Sequence, residues 1–207
     1  MASFDQVRAL GEAVIAPRTL EKIQRRTIEF LHGRGALFAA RVAQDRVIDG
    51  HGDLLTDDIL CLDDEPRVLD CLEFDDRLRF LDGLDDIAFL AMDVEHLGAP
   101  ELAARLLDWY AEFADDPAPP SLRHHYLAYR AFVRAKVAGI RHAQGDEAMG
   151  TKAVSLADLA LRHLRSGAVR LVLVGGLPGT GKSTLGGLLA DRLGMVLLSS
   201  VHIDPAA

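Results

Sequence analysis

Cysteines and long apolar runs are scarce in this sequence. Only two cysteines, Cys61 and Cys71, occur in 207 residues, and neither has Cys or His neighbours at the spacing of a zinc site. No apolar run approaches the roughly 20 residues needed to cross a bilayer. The amino-terminal residues MASFDQVRAL also lack the apolar core of a signal peptide. We therefore expect a cytoplasmic protein with free thiols and no membrane partner.

Basic residues are also fewer than acidic ones, with 23 Lys and Arg against 31 Asp and Glu. The formal net charge is −8, and the lysines are Lys22, Lys136, Lys152 and Lys182. An excess of negative charge does not attract nucleic acids or anionic membranes, so neither is expected as a partner. With 49% hydrophobic and 26% charged residues, the chain has the composition of a globular protein of one or two domains. The sequence does not indicate an oligomeric state.

Acidic residues concentrate in the stretch 47–71, VIDGHGDLLTDDILCLDDEPRVLDC. Its short apolar runs and polar turns predict a strand, a sharp turn, and then a strand–turn–strand hairpin. Carboxylates lie at the strand ends, at Asp53, Asp57, Asp58 and Asp70. Clustered carboxylates repel one another unless a cation joins them, and Mg²⁺ prefers oxygen ligands. The stretch is therefore a candidate catalytic and metal-binding segment.

The pattern His51-x-Asp53-x4-Asp58, followed by Leu69-Asp70-Cys71, resembles the catalytic segment of the aminoglycoside phosphotransferase family, which shares the protein-kinase-like fold. The resemblance implies that Asp53 is the catalytic base. It also implies that Asp58 and Asp70 hold the Mg²⁺ that bridges the phosphates of ATP. Asp58 stands where the family usually has Asn, and a carboxylate can also ligate Mg²⁺.

Apolar residues at helical spacing dominate the rest of residues 1–166. Helices are predicted at residues 3–14, 17–31, from 37 onward, 82–97, 100–113, 121–142 and 154–164. We therefore expect a mainly α fold with a small β-hairpin, like the helical lobe of a kinase, over residues 1–166. No β-rich segment precedes the acidic stretch, so the chain is expected to begin inside a larger family architecture.

Two arginines in the predicted helix 121–142 leave two interpretations open. Arg130 and Arg134 are one turn apart and share a face. They could pair with the abundant carboxylates, or they could meet an anionic substrate.

A different pattern begins at residue 168. Val169–Val174 is a continuous apolar run typical of a parallel strand that is buried on both faces. A complete G-x4-G-K-S phosphate-binding motif follows, and then a predicted helix at 185–193 and a second predicted strand at 195–198. The order strand, loop, helix, strand predicts an incomplete α/β P-loop unit over residues 168–207. This unit resembles the opening of an AAA- or zeta-toxin-like small-molecule kinase domain, which the chain is expected to leave unfinished.

The chemistry of this motif is specific. Glycines let backbone N–H groups turn toward phosphates, and the following helix presents its positive end to them. Lys182 would neutralise the β and γ oxygens of ATP, and Ser183 would ligate Mg²⁺. The predicted nucleotide-binding residues are Gly176, Gly179, Thr180, Gly181, Lys182, Ser183 and Thr184.

The leading hypothesis is an ATP-dependent phosphotransferase that acts on a hydroxyl of a small molecule, with a second ATP-binding P-loop. The alternative is a catalytically inactive nucleotide-binding or interaction module. A third interpretation is a helical binding protein in which both motifs are relics.

Overall fold

Helices make up most of the chain in the computed structural model, which describes residues 2–9, 14–73, 75–193 and 196–198. The helices are α1 (Ala2–Ala9), α2 (Pro17–Leu31), α3 (Gly35–Ala43), α4 (Asp76–Arg79), α5 (Gly83–His96), α6 (Pro100–Phe113), α7 (Pro120–Ala143), α8 (Ala148–Ser166) and α9 (Lys182–Leu193). None of these described helices combines the length and the apolar character needed to cross a bilayer. The chain divides into two compact units between Ala168 and Val169, here called the helical unit and the carboxy-terminal unit.

The core of the helical unit is centred on α7, which packs against both α5 and α8. Small side chains allow α7 and α8 to approach closely. The buried alanines are Ala128, Ala131, Ala135 and Ala138 on α7 and Ala153, Ala157 and Ala160 on α8. Their spacing of three or four residues places each set on one helical face. Phe89 and Met92 bring α5 into the same core, where both are fully buried.

Among the residues that the structure describes, four short strands form two antiparallel pairs in the helical unit. β2 (Ile59–Cys61) pairs with β3 (Pro66–Val68), which confirms the predicted hairpin. β1 (Val47–Asp49) pairs instead with β4 (Phe80–Asp82), with Val47 opposite Asp82. The sequence did not predict this partner, because β1 and β4 are far apart in the chain and no local turn joins them. The fold is thus mainly α with a small β element.

Helix boundaries follow the local signals closely. Prolines stand at the starts of α2, α6 and α7, where their missing N–H costs no hydrogen bond. The Asp82 side chain accepts a 2.9 Å hydrogen bond from the Leu84 amide and so caps α5. Residues 10–13 of the predicted first helix lie outside the described residues.

The two strands predicted for the carboxy-terminal unit are not formed in the residues that the structure describes. Val169–Val174 carries no assigned secondary structure, and neither does the described part of the second predicted strand, residues 196–198. Burial on both faces was also wrong, since Leu171 is 80% and Leu173 is 84% exposed. A parallel strand is defined by hydrogen bonds to neighbouring strands, and the described residues supply no such neighbour. Met195 lies outside the described part of the chain.

Candidate functional site

The HGD loop, residues His51–Asp53, follows β1 directly. Gly52 has a positive φ of 84°, which a glycine adopts without strain. A Cβ at this position would lie 2.7 Å from Leu72 Cδ1 and 3.1 Å from the Leu78 carbonyl oxygen. The Leu72 amide also donates a 3.0 Å hydrogen bond to the His51 carbonyl. The backbone of the loop therefore lies tightly against the segment that precedes β4.

Asp86 anchors the HGD loop from the first turn of α5. Its buried carboxylate accepts a 2.8 Å hydrogen bond from the His51 amide and a 2.9 Å hydrogen bond from the Gly52 amide. Hydrogen bonds to a charged acceptor are stronger than neutral ones. One side chain thus fixes two consecutive backbone groups of the loop.

Arg130 of α7 holds the same loop through the carbonyl group of Gly52. It donates to both carboxylate oxygens of Asp85, at 2.8 and 2.9 Å, and to the Gly52 carbonyl at 3.1 Å. Burial raises the pKa of Asp85 to about 6, although Arg130 opposes this effect. Sequence reasoning missed the role of Asp85 and Asp86. Two adjacent acids directly before the apolar run 87–92 were the available signal, because carboxylates inside a core require partners.

Asp53, the predicted catalytic base, remains accessible at the end of this fixed loop. Its side chain is 44% exposed, and Arg134 Nη1 lies 4.0 Å from Asp53 Oδ2. Partial burial raises the pKa of Asp53, and the nearby Asp58 adds to the rise. The positive charges of Arg134 and Arg130 act in the opposite direction. The result is a half-buried carboxylate whose affinity for a proton is higher than usual.

The two acids that the sequence assigned to metal binding differ in their relation to this carboxylate. Asp58 is close enough to Asp53 to influence its pKa, and Asp58 Oδ2 accepts a 2.9 Å hydrogen bond from the Leu55 amide. The Leu69 amide donates to the Asp58 carbonyl at 2.9 Å, which brings the backbone next to Asp70 alongside residue 58. Asp70 itself is exposed and has a positive φ of 61°.

His51 links the HGD loop to the same backbone. Its Nε2 lies 2.7 Å from the Leu69 carbonyl oxygen. A carbonyl only accepts hydrogen bonds, so Nε2 carries the proton and Nδ1 holds the lone pair when the ring is neutral. The contact therefore fixes the ring orientation and ties the loop to the segment that carries Asp70.

The side chains near Asp53 offer few ligands for a metal ion. Among the residues that the structure describes, no three side chains of His, Cys, Asp or Glu form a group that could hold a metal ion. Mg²⁺ usually binds proteins through one or two carboxylates, while phosphates and water complete its shell. Asp58 and Asp70 carry oxygen ligands of that kind, and metal binding by them stays a prediction.

The glycine-rich loop, residues Gly176–Thr184, is held by its own atoms. Gly179 and Gly181 have positive φ angles of 79° and 81°. Thr180 Oγ1 and Lys182 Nζ both donate to the Leu177 carbonyl, at 2.8 and 2.6 Å. The loop curls back on itself, and α9 begins at Lys182. Both side-chain donors of this loop are therefore used within the loop itself.

A buried ionic network supports the strand that leads into α5. Arg41 of α3 forms ion pairs with Asp82 and Asp116, and all three side chains are nearly inaccessible. Tyr126 donates to Asp82 Oδ2 at 3.1 Å. Since Asp82 also caps α5, this network fixes the helix end that carries Asp85 and Asp86.

Comparison with known proteins yields relatives but no family assignment. The chain is 47% identical over 195 residues to an uncharacterized protein of Mycobacterium bovis and to uncharacterized proteins of two strains of Mycobacterium tuberculosis. The match covers 94% of this chain and 39% of each relative, so the chain spans about two fifths of their length. No family model and no solved structure matches the chain.

Proposed function

We propose that the protein is an ATP-dependent phosphotransferase that acts on a hydroxyl of a small molecule. The observation that carries this proposal is the accessible Asp53 carboxylate at the end of a loop that Asp86 and Arg130 hold in place. Phosphoryl transfer depends mainly on positioning and on charge neutralisation. A fixed carboxylate with a raised pKa is suited to orient a hydroxyl and accept its proton.

Transfer of the phosphoryl group breaks one bond, forms another and moves one proton. The bond between the γ-phosphorus of ATP and its bridging oxygen breaks and leaves ADP. A new bond joins that phosphorus to the acceptor oxygen, and the hydroxyl proton passes to Asp53. Mg²⁺, when bound with the nucleotide at Asp58 and Asp70, would neutralise charge on the phosphate oxygens.

A second candidate function is a nucleotide-binding module without transfer activity. The glycine-rich loop favours it, because Lys182 and the start of α9 would suffice to hold phosphates without any contribution from Asp53. ATP would then bind through Gly176, Gly179, Thr180, Gly181, Lys182, Ser183 and Thr184, with Ser183 toward Mg²⁺.

The two functions are separated by one experiment on the 207-residue chain. Calorimetry measures Mg-ATP binding, and phosphorus NMR measures phosphoester formation with a panel of hydroxyl compounds. For the transferase, Asp53→Asn lowers the transfer rate by about 10²–10⁴-fold, while Asp57→Asn, a change of an exposed neighbour, leaves it unaltered. If Lys182→Ala abolishes nucleotide binding and no phosphoester forms with any compound, the nucleotide-binding module is supported instead.

A further inference from the structure

Arg130 and Arg134 are one turn apart on α7, but their partners differ. All three nitrogens of the Arg130 guanidinium donate, to Asp85 and to the Gly52 carbonyl. Arg134 has one charged neighbour within the described part of the chain, Asp53, with 4.0 Å between Nη1 and Oδ2. The first arginine is therefore a structural clamp, whereas the second requires another explanation.

The 4.0 Å separation leaves the Arg134 donors available. Hydrogen bonds from N–H to oxygen are normally about 2.7–3.2 Å long, so Asp53 does not take up the guanidinium hydrogens. Across the described residues, Arg134 makes no other side-chain hydrogen bond. Its side chain is only 23% exposed. The guanidinium nitrogens are not among the described buried polar atoms that lack a partner, so they reach solvent and are open to a ligand beside the candidate catalytic base.

The local charges indicate what kind of ligand Arg134 would bind. The charge of Arg130 is matched by Asp85 in a bidentate pair. Asp58 is close enough to Asp53 to raise its pKa. Within the part of the molecule that is described, Arg134 is the nearby cation without a bidentate partner. The planar guanidinium matches the geometry of a carboxylate or a phosphate, which it binds through two parallel hydrogen bonds.

The distance between Arg134 and Asp53 also limits the ligand. If a hydroxyl on Asp53 and an anionic oxygen on Arg134 are bound by roughly parallel hydrogen bonds, they lie about as far apart as the two side-chain atoms, 4.0 Å. Two or three carbon atoms between the two groups span that separation.

We propose that Arg134 binds an anionic group of the acceptor, a carboxylate or a phosphate two or three carbon atoms from the hydroxyl that receives the phosphoryl group. This inference rests on the proposed function for its reaction, but the binding it describes is measurable without turnover. The acceptor class is therefore small hydroxy acids and hydroxyalkyl phosphates, and neutral polyols lack the group that Arg134 would bind.

The test uses glycerol 3-phosphate and glycerate as anionic probes, and glycerol as their neutral counterpart. Each is titrated into the 207-residue chain while NMR follows the amides of residues 51–53. The variants are Arg134→Gln and Arg134→Lys, and the matched control is Arg141→Gln, which changes an exposed arginine near the end of the same helix. Circular dichroism establishes that each variant is folded.

We expect the anionic probes to bind the unmodified chain and to bind Arg134→Gln about 10- to 100-fold more weakly, because charge-assisted hydrogen bonds are lost. Arg134→Lys should recover part of it, and Arg141→Gln should bind like the unmodified chain. Equal binding of glycerol and glycerol 3-phosphate would overturn the proposal, and so would unaltered binding of the anionic probes in Arg134→Gln.

A separate titration with Mg-ATP identifies the source of the anion. If Arg134→Gln weakens Mg-ATP binding and leaves glycerol 3-phosphate binding unaltered, Arg134 serves the nucleotide and the anionic acceptor is refuted. Probe binding that depends on Arg134, without phosphoester formed from any probe, supports the anionic site and overturns only the transferase. If the unmodified chain and Arg134→Gln form phosphoester from glycerol equally well, the transferase is supported and the anionic site is overturned.

Discussion

The HGD loop and the glycine-rich loop are built in opposite ways. Side chains from distant helices hold the HGD loop, with Asp86 on its amides and Arg130 on its Gly52 carbonyl. The glycine-rich loop is held by contacts within a few residues, such as Lys182 to Leu177. A short motif can therefore be specified either by the surrounding fold or by its own backbone. The two kinds of loop should respond differently to substitution.

Removing the clamp of the HGD loop should have the largest effect. Arg130→Met leaves the buried Asp85 carboxylate without its partner, which typically costs about 3–5 kcal/mol of unfolding free energy. Urea unfolding, followed by the fluorescence of the single tryptophan, Trp109, measures the loss. The control is Arg123→Met on the same helix, because its partner Asp108 is 72% exposed. This control should cost less than about 1 kcal/mol, and equal losses would contradict the buried clamp.

Alanine at one glycine of each loop tests the comparison directly. Gly52 and Gly179 have similar φ angles of 84° and 79°, so each pays the left-handed cost of about 1–2 kcal/mol. Gly52→Ala also drives its Cβ against Leu72 and Leu78, which raises the expected loss to roughly 2–4 kcal/mol.

At Gly179 a Cβ meets no atom within 4 Å, so only the backbone cost should appear. Urea unfolding monitored at Trp109 measures the Gly52 variant. Hydrogen exchange of the α9 amides measures the Gly179 variant. If the two losses are the same, tight packing does not distinguish the loops.

A smaller, local effect is expected from Asp86→Asn. The amide keeps one acceptor oxygen but turns donor hydrogens toward one of the two loop amides, at a cost of about 2 kcal/mol. Hydrogen exchange should speed up selectively at the His51 and Gly52 amides, while amides of α8 keep their protection. Asp57→Asn serves as the exposed control. Uniform acceleration across the helical unit would mean that Asp86 stabilises the core and does not specifically hold the loop.

The smallest effect concerns pH and the far end of α5. The hydrogen bond from His163 lowers the pKa of Glu95, and burial lowers the pKa of His124, whose Nδ1 lies 2.9 Å from His163 Nδ1. Both groups bind protons less readily in the folded state than in the unfolded chain. Their stabilisation is therefore present at neutral pH and is lost as pH falls below the ordinary pKa of His and then of Glu.

Glu95→Gln isolates this contribution, because the raised pKa of Asp85 acts in the opposite direction with pH. We expect the unmodified chain to lose about 1 kcal/mol more than Glu95→Gln between pH 7 and pH 4. Urea midpoints at Trp109, measured at each pH, provide the comparison. Parallel pH curves for the two proteins would exclude the Glu95–His163 pair as the cause.

Local features were readable from the sequence wherever neighbouring residues decide the structure. Helix α6 begins and ends at the predicted residues because Pro100 starts it and its apolar spacing is regular. The hairpin of β2 and β3 follows from two apolar runs around an acidic turn. Cys61 and Cys71 are exposed, free cysteines in the structure. The kinase-like chemistry of Asp53 and the phosphate chemistry of Lys182 stay predictions.

The sequence alone determined the helices, the hairpin and the two motifs, since periodicity, turn residues and glycine spacing act over a few residues. Only the tertiary structure decided that β1 pairs with β4, that Asp86 holds the HGD loop, and that Arg130 is a clamp while Arg134 keeps its donors free. These outcomes depend on contacts between residues 31 to 81 positions apart. Composition and spacing do not encode such contacts, because each acid or arginine has many partners of similar local character.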